Sequence, residues 1–232
     1  MELDSQRYIR QIALEEVGEQ GQRRLAQASV LIVGCGGLGS PISTLLASSG
    51  VGRIIIVDFD TVSISNLPRQ TLYTTPEVGI AKVECAKRRL EAMNPNVVVE
   101  AYNEMFDMEL GERILEGVDV IVDGCDNMAT RYVMDELSRR FGIPYVYGAI
   151  RGFVGQVSVF NYQGAKSYSD LFARENSAAT QPPPPVMATT PTLIGAIQAN
   201  EVMKILIGYG DTLSGRLLTF DSRSYMLNIF EI

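Results

Sequence analysis

The sequence predicts an α/β fold built on a doubly wound, mainly parallel sheet, with helices before it and antiparallel strands after it. Three observations support this prediction. Continuous apolar runs alternate with helical segments through residues 29–150. The first apolar run ends in a glycine-rich loop that opens a helix. After Gly152, polar and apolar residues alternate, which is typical of antiparallel strands with one exposed face.

The elements of the parallel part follow in order along the chain. Residues 4–28 combine charged residues with apolar residues at helical spacing, so short helices are expected there. Apolar runs typical of buried parallel strands follow at residues 29–33, 53–57, 97–101, 118–122 and 144–147. The helices expected between these strands span residues 38–49, 79–93 and 127–141. Gly50 and the Asn94-Pro95 pair are typical stop signals for the first two of them.

The last third of the chain predicts an antiparallel extension. Residues 156–160 alternate in polarity, and residues 161–191 are polar and broken. The run Pro182-Pro183-Pro184-Pro185 cannot enter a helix or a central strand. A helix at residues 192–207 and two hairpin strands at residues 216–221 and 225–229 complete the chain.

Composition excludes several classes of function. The 232 residues contain no histidine, which excludes a Ser-His-Asp triad, a Cys-His dyad and histidine-ligated zinc. The formal net charge of −7 argues against a nucleic-acid partner, because such surfaces need lysine and arginine to neutralise phosphates. The N terminus has no apolar signal segment, and no apolar run is long enough to cross a membrane. We therefore expect a cytoplasmic protein without a membrane partner.

The three cysteines predict neither a disulfide framework nor a zinc site, because none belongs to a CxxC pair. Cys35 lies inside the glycine-rich loop, where a small buried residue is the simplest role, and Cys85 lies in a predicted amphipathic helix, where either packing or a surface position is expected. Cys125 borders Asp126, and packing is the favoured role there as well.

The glycine-rich loop has the context that a nucleotide-binding loop needs. Gly34-Cys-Gly36-Gly37-Leu-Gly39 follows the first strand directly and opens the next helix. Gly34 permits a tight turn, Gly36 and Gly37 allow backbone N–H groups to approach a phosphate, and Gly39 permits close packing of helix on sheet. The helix N terminus adds partial positive charge. The motif alone indicates a nucleotide, and a dehydrogenase remains an alternative.

The polar residues beyond the second strand favour a triphosphate over a dinucleotide. Asp58 ends that strand and is placed to accept hydrogen bonds from a ribose, with Asp60 beside it as a further nucleotide contact. Arg69 and Lys82 supply two cations near the phosphate loop. Asp126, at the end of the fourth strand, is a candidate ligand for a Mg²⁺ that bridges phosphates. The Walker A pattern is absent, which argues against a P-loop NTPase.

Five motifs occur in order along the chain. They are RYIRQ at residues 7–11, the GCGGLG loop, VDFDTVSISNLPRQ at residues 57–70, Lys82, and CDN at residues 125–127. Together they resemble the bacterial ThiF/MoeB/HesA family, prokaryotic relatives of the ubiquitin-activating enzymes, over essentially the whole chain. The resemblance implies one Rossmann-like ThiF-type adenylation domain over residues 1–232. Its expected parts are N-terminal helices (1–28), a nucleotide-binding core (29–150), and an antiparallel extension (151–232) with a crossover loop at about 161–191.

The resemblance implies adenylation, with ATP and Mg²⁺, of the C-terminal glycine of a ubiquitin-like sulfur carrier that ends in Gly-Gly. The attacking carboxylate is already ionised at pH 7, so such a reaction needs no histidine base. Arg69 and Lys82 would bind the phosphates, while Asn66 and Gln70 would orient the α-phosphate region. Arg10 resembles the arginine that family members extend across a homodimer interface into the partner's site.

The sequence departs from the family's pattern in two places. Ser167-Tyr168-Ser169-Asp170 stands where zinc-bearing relatives have their first CxxC, and no second pair precedes Ile232, so no structural zinc is expected. The segment 177–190 lacks the cysteine that relatives have before the last helix, which argues against persulfide or thioester chemistry there. The proline run at 182–185 fits the crossover segment under which the family threads the carrier's tail.

Several functions remain open from the sequence. Thiamine (thiazole) biosynthesis is slightly favoured as the pathway, and molybdopterin biosynthesis is the alternative. An enzyme that activates a different substrate, such as a tRNA-modifying or peptide-modifying relative, is a further possibility. A non-catalytic scaffold would not need the set of Asp58, Arg69, Lys82 and Asp126, and an NAD-dependent oxidoreductase would need an acid or base that the sequence does not offer.

Overall fold

One eight-stranded sheet organises residues 4–172 and 185–232, which are the residues described in this computed structural model. The strands are β1 (Ser29–Val33), β2 (Arg53–Val57), β3 (Val98–Tyr102), β4 (Val120–Asp123), β5 (Tyr145–Arg151), β6 (Val154–Phe160), β7 (Arg216–Asp221) and β8 (Met226–Glu231). Their order across the sheet is β3-β2-β1-β4-β5-β6-β7-β8. The first five are parallel, and β6, β7 and β8 add in antiparallel fashion. The predicted fold class is thereby confirmed.

Helices cover both faces of the sheet. They are α1 (Ile9–Ile12), α2 (Gly18–Gln27), α3 (Gly39–Ser49), α4 (Lys82–Met93), α5 (Met108–Ile114), α6 (Met128–Phe141), α7 (Tyr168–Leu171) and α8 (Thr189–Ile207). Helices α2, α3, α4 and α8 pack on one face, and α5, α6 and α7 on the other. Among the helices described here, none combines the length and apolar character needed to cross a membrane.

The continuous apolar run of β1 follows from this double covering. All five of its residues are buried. Val30 and Ile32 enter the core beneath α3 and α8, whereas Leu31 and Val33 enter the core beneath α5 and α6. A strand covered on both faces needs apolar residues at every position, and this is the pattern that the sequence shows.

Two helix starts differ from the predictions by three residues. The helix predicted to start at residue 79 begins at Lys82, because Gly79 adopts φ +91° and Ala81 forms a bridge with Thr61. The last helix starts at Thr189 rather than at residue 192, and it accommodates Pro191 in its first turn, where a missing N–H costs nothing. The crossover predicted at 161–191 includes α7 and the start of α8, while residues 173–184, with most of the proline run, lie outside the described residues.

Helices α5 and α7 are not among the helices that the sequence predicts. Helix α5 follows β3, and the Asp107 carboxylate caps it by accepting a hydrogen bond from Leu110 N at 2.9 Å. Leu110 and Ile114 are buried beneath it. An aspartate followed by apolar residues four positions apart was the available signal, but one turn of spacing is weak evidence for a helix.

Strand β8 forms one edge of the sheet and is exposed along its whole length. Its exposed side chains include Met226, Leu227, Ile229 and Phe230, each about half accessible to solvent. The predicted strand at 225–229 is thus shifted by one residue and extended to Glu231. An apolar edge strand offers both side chains and unpaired backbone groups to a partner.

Candidate functional site

The glycine-rich loop makes a tight turn at the carboxyl end of β1. Gly34 adopts φ +95°, and its N–H donates to Val57 O at 2.8 Å. A Cβ on Gly34 would lie 2.6 Å from Gly124 O, and a Cβ on Gly39 would lie 2.0 Å from Gly34 O. A residue with a Cβ does not fit at either position, because the clashing oxygens belong to the backbone and cannot move aside as a flexible side chain could. The sequence predicts close packing of helix on sheet at Gly39, and the close contact in the structure is between the start of α3 and the backbone of the loop.

The loop is open at Gly36 and closely packed at Gly37. Among the described residues, a Cβ on Gly36 would meet only Gln70 Nε2, at 3.6 Å, while a Cβ on Gly37 would meet Pro191 Cβ at 3.1 Å. The Gln70 side chain is buried over this opening, and its Oε1 has no hydrogen-bond partner within the described chain. A buried amide oxygen without a partner is costly, and it suits a ligand that supplies the missing donor.

Asp58 fastens the loop to the end of β2. Its two carboxylate oxygens accept hydrogen bonds from Cys35 N at 2.7 Å and from Asp60 N at 2.8 Å. Burial raises the pKa of Asp58, and the nearby Lys82 charge and the two backbone donors act against this rise. The carboxylate therefore lies beside the glycine-rich loop with its orientation set by backbone groups.

Lys82 begins α4 and points to the same region. Its Nζ donates to Asp60 Oδ2 at 2.7 Å, and its N–H donates to Asp60 O at 3.0 Å. The Lys82 side chain is only 6% exposed, whereas that of Asp60 is 53% exposed. Water weakens an ion pair with so exposed a partner. A polyanion at the loop can therefore compete with Asp60 for the Lys82 charge.

Arg69 and Asn66 lie on the segment between β2 and α4. Asn66 ends a short 3₁₀ turn, Ile64–Asn66, and its Oδ1 accepts from Ser63 N at 3.2 Å. Arg69 donates from Nη1 to Ser65 O at 2.9 Å, and its Cγ would be 3.9 Å from a Cβ on Gly37. The segment thus places the stem of the Arg69 side chain near Gly37, whereas the Asn66 side chain is held by Ser63 within the segment itself.

Asp126 lies at the same edge of the sheet, three residues beyond the end of β4. Strand β4 pairs in parallel with β1, with Asp123 opposite Val33, so the two following loops are neighbours. The Asp126 carboxylate is exposed, and Asn127 caps α6 through a bond from Thr130 N to Oδ1 at 2.9 Å. Within the described residues, no cluster of three acidic or cysteine side chains could hold a metal by itself. A lone carboxylate fits Mg²⁺, which takes one or two carboxylates together with phosphate oxygens.

Arg10 lies far from the glycine-rich loop of its own chain. Beside it, Gln11 Nε2 donates to Ser49 O at 3.1 Å, and the Tyr8 ring packs against Gly50. These contacts hold α1 at the far end of α3, which starts at the loop and whose 11 residues extend about 16 Å. Arg10 is exposed to solvent there.

All three cysteines pack in or against the apolar cores, which is the role favoured for Cys35 and Cys125 from the sequence. Cys35 and Cys85 are buried, and Cys35 O accepts a bond from Tyr73 OH at 2.8 Å. Cys125 is partly exposed. Burial raises the pKa of the Cys35 and Cys125 thiols, and the charges of Asp58 and Asp123, respectively, raise it further. Neither environment produces a thiolate.

A buried ion pair beneath the Asp126 loop was missed by sequence reasoning. Arg131 Nε donates to Asp123 Oδ2 at 2.8 Å, and the Asp123 side chain is fully buried. Gln198 Nε2 donates to Asp123 O at 2.7 Å. A carboxylate at the end of an apolar strand was the available signal, but its partners lie 8 and 75 residues away.

Comparisons with known proteins agree with this geometry. Residues 8–232 match the ThiF family. The chain is 42% identical to a sulfur carrier protein adenylyltransferase of Thermus thermophilus, over 95% of this chain and 84% of that protein. It is 39% identical to a probable molybdopterin-synthase adenylyltransferase of Porphyra purpurea, over 97% of this chain but only 60% of that protein. The crystal structure of PaaA superposes with a TM-score of 0.86 and 26% identity, covering 99% of this chain and 73% of that one.

Proposed function

The chain belongs to the ThiF family, and we propose that it uses ATP to adenylate the C-terminal glycine of a ubiquitin-like sulfur carrier protein. Its relatives are named adenylyltransferases, and the family consists of ATP-using adenylating enzymes. The observation that supports the proposal best is the joint placement of an open glycine-rich loop, Asp58, Lys82 and Asp126 at one edge of the sheet.

The proposed reaction transfers AMP to a carboxylate. One oxygen of the ionised C-terminal carboxylate attacks the α-phosphorus of ATP, and the bond from that phosphorus to the β-phosphate oxygen breaks. The products are an acyl-adenylate and pyrophosphate. No proton moves in this step, because the nucleophile is ionised at pH 7, and this agrees with a chain that has no histidine. The protein has to align the two reactants and stabilise negative charge on the phosphates.

The residues of the site divide this work. The N–H groups around Gly36 and Gly37 approach the phosphates, and Lys82 and Arg69 neutralise them. Asp58 and Asp60 lie on the ribose side. A bound Mg²⁺, for which Asp126 is the proposed ligand, would offset charge on the departing pyrophosphate.

Two side-chain amides are proposed to orient the α-phosphate region. Gln70 presents Nε2 toward Gly36, where a phosphate oxygen accepts, while its unpartnered Oε1 remains for a hydroxyl or amine of the nucleotide. Asn66 has its Oδ1 engaged with Ser63 N, which leaves the amide nitrogen as the group to donate.

We also propose a homodimer in which Arg10 enters the partner's site. The position of Arg10 at the far end of α3, exposed and remote from its own loop, supports this arrangement. In a dimer with C2 symmetry, each of the two sites would receive one Arg10, from the other subunit. The role would be that of an arginine finger, which adds positive charge as the transition state forms.

Gly36→Ala is expected to weaken ATP binding about ten- to a hundredfold, because a hydrogen bond to a charged group contributes about 1.5–3 kcal/mol. The new methyl group has room in the free protein but occupies space that a phosphate needs. Gly39→Ala is the contrasting variant, since its Cβ would lie 2.0 Å from Gly34 O and should lower the melting temperature. Thermal unfolding and titration with a nonhydrolysable ATP analogue separate the two effects. Equal losses of stability in the two variants would contradict the open loop.

The exposed apolar strand β8 is the proposed docking surface for the carrier's globular body. Phe230→Asp is expected to raise the KM for the carrier about tenfold, with the KM for ATP unchanged. Val98→Asp is the matched control, because Val98 is exposed to a similar degree on β3 at the opposite edge of the sheet. Steady-state adenylation with varied carrier measures both. If the two variants have the same carrier KM, β8 is not the docking surface.

The pathway proposed for the carrier is thiamine (thiazole) biosynthesis, with molybdopterin biosynthesis as the second candidate. The second is favoured by the name of the Porphyra purpurea relative. Incubation with purified carriers of both kinds, followed by intact-protein mass spectrometry of the acyl-adenylate, tests the assignment. Modification of the thiamine-type carrier alone supports the first pathway. Modification of the molybdopterin-type carrier alone would replace it with the second, and absence of any adenylate would reject the carrier as substrate.

A further inference from the structure

Asp123 is enclosed by donors from four parts of the fold. Its Oδ2 accepts from Arg131 Nε at 2.8 Å and from Tyr145 OH at 3.1 Å, and its Oδ1 accepts from Cys125 N at 3.0 Å. Its backbone oxygen accepts from Gln198 Nε2 at 2.7 Å. The side chain is fully buried, so the charge of Arg131 is needed to offset the loss of hydration.

Arg131 fixes the next peptide as well. Its Nη2 donates to Cys125 O at 3.1 Å and to Gly148 O at 3.3 Å, and its guanidinium carbon lies 5.4 Å from the centre of the Tyr147 ring. Cys125 is therefore held through its N–H by Asp123 and through its carbonyl by Arg131. That carbonyl belongs to the peptide that joins Cys125 to Asp126.

Gln198 connects this loop to the glycine-rich loop through α8. It is fully buried, and a Cβ on Gly148 would lie within 2.4 Å of its amide. Seven residues earlier in α8, Pro191 lies against Gly37. One rigid helix thus touches both loops of the proposed site. The Gln198 Oε1 has no hydrogen-bond partner in the described chain. The hydrogen bond that this buried amide makes there is therefore the one from its Nε2 to Asp123 O.

We infer that Asp123, Arg131 and Gln198 are positioning residues that aim the Asp126 carboxylate at the phosphates. Asp126 follows a peptide clamped on both sides and precedes Asn127, which is anchored as the cap of α6. Its direction is thereby set although its side chain is exposed. Such support is how proteins pre-orient a metal ligand. The inference rests on the proposed role of Asp126 and identifies what holds that residue in place.

The test is Arg131→Lys, which keeps the charge beside Asp123 but loses the fork that binds Cys125 O. The dissociation constant of Mn²⁺, measured by electron paramagnetic resonance with a nonhydrolysable ATP analogue, is expected to rise about tenfold. Binding of the same analogue in excess chelator should stay as in the unsubstituted protein. Arg53→Lys is the matched control, because the Arg53 guanidinium donates two hydrogen bonds to Glu100 at the amino end of β2, away from the carboxyl ends of the strands where Asp126 lies. Arg53→Lys should leave Mn²⁺ binding unchanged.

Amide hydrogen exchange, together with Mn²⁺ binding by two more variants, distinguishes loss of positioning from loss of the metal ligand itself. Amide hydrogen exchange at residues 124–127 should accelerate in Arg131→Lys and in Gln198→Met, a variant of similar volume that frees Asp123 O. Unchanged Mn²⁺ binding in both variants would overturn the inference, provided that Asp126→Ala weakens it. If Asp126→Ala also leaves Mn²⁺ binding unchanged, the proposed role of Asp126 fails first and the positioning role falls with it. Adenylation that persists in that case would leave the proposed reaction standing.

Discussion

Asp126→Ala is expected to reduce Mg²⁺-dependent adenylation by about two to three orders of magnitude while the protein stays folded. The side chain is exposed and has no hydrogen bond or ion pair with the residues that the structure describes, so its loss should not change the melting temperature measurably. Its carboxylate is the proposed protein ligand for a metal that otherwise binds phosphates. Steady-state pyrophosphate release at varied Mg²⁺ measures the effect.

Asp211→Ala is the control for the loss of one exposed aspartate. Asp211 lies after α8, away from the edge of the sheet that holds the glycine-rich loop, and its backbone oxygen rather than its carboxylate accepts from Lys204. The Asp211→Ala variant should keep full adenylation activity. Full activity of Asp126→Ala would remove Asp126 from the mechanism, and partial loss that excess Mg²⁺ restores would support its role as a ligand.

Arg10→Ala and Lys82→Ala are each expected to be nearly inactive, and their mixture is expected to regain activity. In a mixed dimer, the subunit with Arg10→Ala keeps its own Lys82 and receives Arg10 from its partner. Random reassociation at equal amounts makes half of the dimers mixed, so about a quarter of all sites are restored. The physical basis is the distance of Arg10 from its own loop along α3.

A second mixture provides the control for complementation. Lys82 and Asp126 belong to the same subunit's site, so mixed dimers of Lys82→Ala with Asp126→Ala contain no intact site and should stay inactive. Recovery of activity in this control would show that the two subunits complement each other in a way that does not depend on Arg10. Absence of recovery with Arg10→Ala, in mixtures shown by native mass spectrometry to contain mixed dimers, would place Arg10 outside the partner's site.

Local patterns were sufficient to predict most of the fold. The five residues of β1 are all buried, and four of them form a continuous apolar run. The glycines that follow are required because Gly34 adopts φ +95° and because a Cβ on Gly39 would lie 2.0 Å from Gly34 O. Helix α5 was missed because a seven-residue helix has fewer than two turns, which is too short for a helical pattern of apolar residues to repeat. The predicted start of α4 was three residues too early. Gly79 adopts a positive φ that a helix does not allow, but the pattern of apolar residues continues through this position.

The candidate site was predicted as a set of residues but not as a set of contacts. Asp58 and Lys82 could be assigned to one edge of the sheet because parallel strands end together there. The pairing of Lys82 with Asp60 and the clamp of Arg131 on Cys125 depend on side-chain directions that spacing does not specify. Gln198 lies 75 residues from Asp123, and no local pattern connects two positions so far apart.

Carrier adenylation itself can be followed by ATP–pyrophosphate exchange with Mg²⁺ and a sulfur carrier that ends in Gly-Gly. Exchange reports reversible formation of the acyl-adenylate before any sulfur transfer. We expect exchange with the intact carrier and none with a carrier that lacks its terminal glycine. Absence of exchange with thiamine-type and molybdopterin-type carriers, by a protein that binds ATP, would contradict carrier adenylation.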